Sequence, residues 1–179
     1  ITGTYTDDGA GTSATTDTGT AAYVGTGEGQ SSTSNLALQG TGTGPTSTTT
    51  LNFSSVPGSG TDGTVSNVSF RLNDIDMSGW QDVVTITAYD ANGNPVPVTI
   101  TPDSVGGLAD TVSGGTITAG NEAGAASDAS GSALVTIPGP LSKITITYSN
   151  ALTSGQVIYV SDVNFTTTVT SDNDLVNAG

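Results

Sequence analysis

The stretch VVTITAYDANGNPVPVTIT, residues 83–101, decides the fold. Val83–Tyr89 and Val96–Thr101 read as two strands flanking Asp90–Asn94. Within that connection Asn92-Gly93 supplies the positive-φ residues that a tight turn between antiparallel strands requires. Upstream, from Val65 to Asp76, Val68, Phe70 and Leu72 alternate with Asn67, Ser69, Arg71 and Asn73. That period of two predicts a strand with one buried face and Phe70 as its core anchor. Downstream, Ala133–Ile137, Lys143–Tyr148 and Gln156–Phe165 read as further strands, with Pro138, Pro140 and Asn150 marking their connections.

No segment carries a 3.6-residue apolar period, so the reading contains no helix. Residues 102–132 form a Gly/Ala/Ser/Asp-rich stretch, expected to be a surface excursion with one short strand at Thr116–Thr118. Residues 1–63 are low in complexity, with short apolar pieces at Thr20–Val24, Leu36–Gln39 and Thr49–Phe53 between loop-like runs. The expectation is a single all-β domain over residues 1–179. It is a β-sandwich, jelly-roll-like, of about ten short antiparallel strands with long polar loops, the well-patterned core strands lying in 64–170. The absence of Cys and the position of Trp80 in a loop argue against an immunoglobulin domain.

Composition narrows the function classes. The chain of 179 residues has 16 acids against two bases, Arg71 and Lys143, for a formal charge of -14. Nucleic acid and anionic membrane surfaces both need clustered Lys or Arg, so neither is an expected partner. With no Cys and no His, disulfides, the usual zinc sites and Ser-His or Cys-His nucleophile pairs are excluded by inventory. The remaining catalytic route is a carboxylate pair acting on a glycosidic bond. The only glutamates, Glu28 and Glu122, sit in Gly-rich loops without aromatic surroundings, so the chain is read as non-enzymatic. An acidic, Thr/Ser/Gly-rich chain without Cys fits a secreted, extracellular or cell-surface protein. No apolar run approaches the roughly 20 residues a membrane-spanning helix needs, and membrane insertion is not expected.

The acids cluster where strands end. Asp74 and Asp76 close the Val65–Asp76 strand, Asp82 follows the Met77–Gln81 loop, and Asp162 lies in the last strand. Pairing of early and late strands would bring Asp162 to the others, and four hard oxygen donors at flexible geometry suit a structural Ca2+. The opposing reading is that these acids cap turns and face water. Asp90-Ala-Asn92-Gly-Asn94 begins like an EF-hand loop, but Pro95 and Thr101 replace the required glycine and acid, so it reads as a turn. Gly106-Gly107 with Asp110 is a single fragment of a glycine-rich calcium repeat with no second copy. Asp7-Asp8 and Asp172-Asn173-Asp174 read as solvated segments, able to bridge neighbouring copies through cations. Trp80 with Gln81 and Asp82 offers one aromatic platform beside hydroxyl-binding groups, a candidate carbohydrate site; the competing reading plugs the core edge with Trp80.

FRLNDIDMSGWQDVVTITAYDANGNPV, then ALVTIPGPLSKITITYSNA and VIYVSDVNF, resembles jelly-roll-type β-sandwich domains of large secreted calcium-dependent adhesins and exoproteins of marine bacteria, over about residues 65–165. The resemblance implies a non-catalytic, adhesive or carbohydrate-associated role and a cation site shared by Asp74, Asp76 and Asp162. The functional expectation is therefore a non-enzymatic extracellular structural or adhesive module. It would be the subunit of a self-assembling surface layer or filament, associating through edge strands such as ITGTYT and FTTTVT or through cation bridges. The alternative is a calcium-dependent carbohydrate-binding module whose partner is an extracellular polysaccharide.

Overall fold

The computed structural model describes residues 2–7, 13–40, 43–104, 109–120, 124–152 and 155–170. In chain order the strands are β1 (Thr2–Asp7), β2 (Ser13–Asp17), β3 (Asn35–Gly40), β4 (Gly44–Asn52), β5 (Thr61–Asn73), β6 (Asp82–Tyr89) and β7 (Pro95–Val96). They continue with β8 (Thr99–Pro102), β9 (Thr111–Ser113), β10 (Thr116–Thr118), β11 (Ser132–Ile137), β12 (Lys143–Asn150), β13 (Gln156–Ser161) and β14 (Asn164–Val169). A single 3-10 turn at Ala129–Gly131 is the helical content of the described residues.

Two sheets result. The first runs β1-β4-β12-β6-β10-β9 with β7 on β6, and the second runs β2-β3-β13-β5-β11-β8 with β14 on β5. Every strand pairing is antiparallel. From β3 to β6, and again from β10 to β13, consecutive strands alternate between the sheets. The late strands then slot between the early ones, β12 between β4 and β6 and β13 between β3 and β5. That interleaving is jelly-roll topology, as the turn chemistry and strand patterning led one to expect.

The inner faces meet in one core. Val68, Phe70 and Leu72 of β5 pack with Val84 and Ile86 of β6, Ile144, Ile146 and Tyr148 of β12, and Ile158 of β13, each at most 1% exposed. Burying a side chain of this size contributes about 1.5–3 kcal/mol, so strict alternation along β6 and β12 is enough to set their register.

Three local expectations change, the first being that Gln156–Phe165 is not one strand: the chain breaks at Asp162-Val163 into β13 and β14, so Asp162 lies between strands. Val96–Thr101 is not one strand: only Pro95–Val96 pairs with β6, while Thr99–Pro102 crosses to pair with β11 in the second sheet. Pro97 has no N–H to donate to a ladder, and the chain leaves the first sheet there. The 102–132 stretch holds a two-stranded hairpin, β9 with β10, that extends the first sheet and buries Ile117 completely.

The outward side of β5 also departs from the one-buried-face reading. Arg71 is 3% exposed and Asn73 is fully buried, because residues 18–34 fold over this face as a roof. The apolar piece Thr20–Val24 forms no strand. Instead the Ala22 N–H donates to the Ser32 carbonyl, the Tyr23 N–H donates to the Ala126 carbonyl, and Ala22 is buried. The Arg71 guanidinium lies 4.8 Å from the Tyr23 ring centre and donates to Glu28, Asp103 and Ser132.

Candidate functional site

Two regions gather chemistry-bearing side chains. One is the corner where β5 hands over to β6. The backbone turns at Asp74, whose φ is 65°, and re-enters the first sheet at Asp82. The Asp82 N–H donates to the Asp76 carbonyl while the Asp76 N–H donates to Asp82 Oδ2, both at 3.2 Å. Tyr148, fully buried, donates its hydroxyl to Asp82 Oδ1 at 2.7 Å. Asp76, 2% exposed, accepts the Trp80 indole N–H at 2.6 Å on Oδ1 and the Gly124 N–H at 2.9 Å on Oδ2.

Electrostatics at this corner follow from burial. Removal from water pushes the Asp82 carboxyl up to about 8, against the lowering effect of the Tyr148 and Asp76 donors, with Asp76 and Asp74 adding repulsion. Asp74 is pushed up to about 7, first by burial and then by Asp76 and Asp128. Burial and the Asp82 carboxylate likewise raise the Tyr148 hydroxyl, so Tyr148 serves as a donor.

The acids expected to share a cation divide between two places. Asp74, Asp76 and Asp82 do meet at the corner. Asp162 does not join them: its Oδ1 accepts the Ser34 hydroxyl at 2.6 Å and its Oδ2 the Ser31 N–H at 3.2 Å, tying the roof to the end of β13. At the corner, the oxygens of Asp76 and Asp82 are engaged by protein donors. Among the described residues no three acids converge as a metal cage. The donor set therefore fits a bound Ca2+ poorly.

The Trp80, Gln81 and Asp82 trio is likewise turned inward. Trp80 is partly buried with its N–H on Asp76, the Gln81 amide donates to the Ala119 carbonyl at 2.9 Å, and Asp82 is fully buried. The Asp90 loop is held as a turn, Oδ1 accepting the Asn92 and Asn94 N–H groups at 2.8 Å each. Asp8, Gly106, Gly107, Glu122 and 172–174 lie outside the described residues.

The second region is one that sequence reasoning passed over, the outer face of the first sheet. Alternation leaves Thr48, Thr50 and Asn52 of β4 outward, with Lys143, Thr145, Thr147 and Ser149 of β12, Val83, Thr85, Thr87 and Tyr89 of β6, and Thr116 and Thr118 of β10. Pairing stacks them into rows. Thr48, Thr147, Thr85 and Thr116 are successive partners across four strands, and Thr50, Thr145 and Thr87 across three. Hydroxyls hydrogen-bond along the rows, Thr48 with Thr147 at 3.3 Å, Thr50 with Thr145 at 3.4 Å and Thr85 with Thr116 at 2.8 Å. At the edge of the sheet β1 pairs with β4, Thr6, Thr4 and Thr2 in register with Thr48, Thr50 and Asn52.

Although the chain carries 16 acids, none occupies an outward position on β4, β12, β6 or β10. The next row is Asn52, Lys143 and Tyr89. Here the Lys143 ammonium sits 4.5 Å from the Tyr89 ring centre. A shallow depression of about 300 Å³ opens between Asn52, Tyr89, Asp90, Ser142 and Lys143. The signal for this face was present in the sequence as Thr-x-Thr spacing in TSTTT, TIT and KITIT, but only strand order reveals that the threonines adjoin.

The sheet margins are a third feature. β1 ends the first sheet, and β14 bonds only to β5 among the described strands. On β14 Val169 is 71% exposed. Phe165 meets Phe53 edge-on at 5.4 Å beside a depression of about 170 Å³.

No protein-family model matches the chain, and no curated protein matches it. Among solved structures it is similar to a "Xylan-Binding Domain from CBM 22", with 12% identity, TM-score 0.38, and coverage of 93% of this chain and 88% of that one. It is similar also to a family 11 carbohydrate-binding module from Clostridium thermocellum in complex with a β-1,3-1,4-mixed-linked tetrasaccharide, at 10% identity, TM-score 0.39 and coverage of 94% and 89%. The DraE adhesin is a further match at 19% identity, TM-score 0.23 and coverage of 82% and 96%. At these scores no residue role is carried from those chains to this one. Among the described residues no helix is long and apolar enough to cross a membrane.

Proposed function

We propose that the chain is a non-enzymatic extracellular module that holds a neutral polysaccharide on the outer face of its first sheet. The observation that carries this reading is the hydroxyl-rich face, with no acid at an outward position on β4, β12, β6 or β10, and the depression at its end lined by Asn52, Tyr89, Asp90, Ser142 and Lys143. An aromatic ring bordered by a few amide and hydroxyl groups is the chemistry that recognises a sugar. Neutrality of the ligand follows from charge. At -14 the chain repels polyanions, Arg71 is committed to Glu28 and Asp103, and Lys143 is the one remaining base. This reading places the sugar at Tyr89 rather than at Trp80 and does not require calcium. The test is retention in native gels containing neutral polysaccharides. Tyr89→Ala is expected to weaken retention at least tenfold, with Trp80→Ala close to wild type. The opposite pattern would move the site to the corner, and no retention on any glycan would remove the reading.

Self-association is the second reading, favoured by the edge of β14 that no other strand pairs with among the described residues and by its exposed Val169. Strand edges of this kind add a strand from another chain unless a charge or a proline blocks them. Val169→Lys is expected to convert any oligomer to monomer in size-exclusion chromatography. A wild-type chain that is monomeric at high concentration would exclude it.

A further inference from the structure

We propose that the threonine rows of the first sheet bind the surface of ice. This goes beyond the glycan reading, which rests on the neighbouring Asn52–Lys143–Tyr89 row. Three observations carry it. The first is two-dimensional regularity. Neighbouring strands repeat at about 4.8 Å and outward positions along a strand at about 6.8 Å, so Thr48, Thr50, Thr145, Thr147, Thr85 and Thr87 form a near-rectangular grid of identical groups. Those two repeats are close to the oxygen repeats on a prism face of hexagonal ice. A flexible glycan chain presents no such lattice to match.

The second observation is the orientation of the hydroxyls. Five of the six are bonded laterally, Thr48 to Thr147, Thr50 to Thr145 and Thr85 to Thr116, and β-branched side chains have restricted χ1. The restricted χ1, with the lateral bonds beside it, narrows hydroxyl and methyl positions before a ligand arrives, so few rotamers are lost on binding. The third is that no acid takes an outward position on β4, β12, β6 or β10 in a chain that carries 16, and that the cation of this face, Lys143, lies in the row beyond the grid. Ionised groups hold tightly oriented hydration shells and would break an ordered water layer, whereas a hydroxyl–methyl grid can template one. The rows also lack an aromatic platform, which separates them from the Tyr89 depression. Sheet twist of about 20–25° per strand pair confines the match to a short patch over β4, β12 and β6. The expected activity is therefore adsorption that restrains ice-grain growth rather than a large freezing-point gap.

The experiment is the enrichment of the fluorescently labelled full chain in a slowly grown ice hemisphere, measured against a labelled acidic control protein of similar size. Wild type is expected to be enriched several-fold over the control. The pair Thr85→Lys with Thr147→Lys is expected to fall to the control level. Thr85→Val with Thr147→Val, which keeps shape and strand propensity, is expected to lose at least half of the enrichment with an unchanged far-ultraviolet spectrum. Tyr89→Ala is expected to retain ice enrichment while losing glycan retention, so the two readings fail separately. Wild-type enrichment no greater than the control, or lysine and valine pairs enriched like wild type, would overturn the proposal.

Discussion

The outer faces of the two sheets start from the same alternating pattern and end differently. That of the first sheet remains an open field of threonines, whereas that of the second is roofed by residues 18–34 around Arg71. The residue at the outward position makes the difference. A threonine hydroxyl is satisfied by the next threonine or by water, and nothing need cover it. A cation drawn out of water demands partners, because an unpaired buried charge is strongly destabilising. Arg71 accordingly gathers Glu28, Asp103, Ser132 and the Tyr23 ring, and the loops bearing them become the roof. Satisfaction beneath the roof is incomplete, since neither amide atom of Asn73 or Gln30 has a protein partner among the described residues. The open face is thus the one left free for a ligand.

The largest expected effect breaks the roofed face. Arg71→Met keeps the aliphatic bulk but leaves Glu28 and Asp103 without their cation. We expect a loss of about 2–3 kcal/mol in urea unfolding, below the range for a fully buried pair because both carboxylates keep some contact with solvent. Gly25→Ala tests the same lock from the other side. A Cβ at Gly25 would collide with the Glu28 carboxylate and with Arg71 Nη2, so the roof should loosen while Arg71 stays in place. A roof that melts independently, with greater amide exchange confined to residues 18–34, would sharpen the contrast. An Arg71→Met chain as stable as wild type would refute it.

A second effect comes from the seam between the faces, and pH separates the contributions. Glu28 is held below its ordinary range, first by the hydrogen bond from Arg71. Its stabilisation is present above its unfolded value near 4.5 and is lost as pH falls. Asp82 and Asp74, pushed up to about 8 and about 7, work the other way. Between an unfolded value near 3.8 and those folded values the native state holds more protons, so stability declines as pH rises from about 4 to 8. Stability should therefore peak near pH 4–5. Asp82→Asn should flatten the alkaline decline by about 2–3 kcal/mol, half of what one proton over about four pH units would give, because neighbouring acids share the titration. At pH 8, excess Ca2+ or a chelator is expected to leave the melting temperature unchanged. A rise with Ca2+ would reinstate a cation at Asp74, Asp76 and Asp82.

Much of the second half of the fold was legible because alternation and turn chemistry agree there. Phe70 is buried as anticipated, and Asp90–Asn94 forms a turn with Gly93 at φ 83° as expected, although Asn92, also read as a positive-φ residue, keeps a negative φ. The first 63 residues were harder to read, since small polar residues such as those of PTSTTTLN leave no apolar period on a strand. β4 is nevertheless central to the first sheet, between β1 and β12. The roof was illegible because its cause, the pairing of Glu28 with Arg71, is 43 residues away in sequence. The grouping of Asp74, Asp76 and Asp82 could be read from local spacing, but the position of Asp162 depends on register. Ser161 pairs with Asn35, and Tyr159 with Asn73, so Asp162 lies three residues, or about 10 Å, along the strand from the level of Asn73.

The smallest expected effect uses neighbours on one strand. Thr49 and Thr50 of β4 point to opposite sides: Thr49 is 4% exposed within the sandwich, and its hydroxyl has no protein partner among the described residues, while Thr50 faces outward and bonds Thr145. An unpaired hydroxyl among apolar groups carries a desolvation penalty, which an isosteric methyl removes. Thr49→Val is therefore expected to stabilise the chain by about 0.5–1 kcal/mol. Thr50→Val deletes one long, partly exposed hydrogen bond and should change stability by no more than about 0.5 kcal/mol. If the inner substitution destabilises by more than the outer one, the Thr49 hydroxyl is satisfied in solution by water reaching into the sandwich, and the inner face is wetter than its apolar lining implies. If the order holds, the threonines of the open face contribute little to folding, and their regular spacing calls for an explanation in what the face binds.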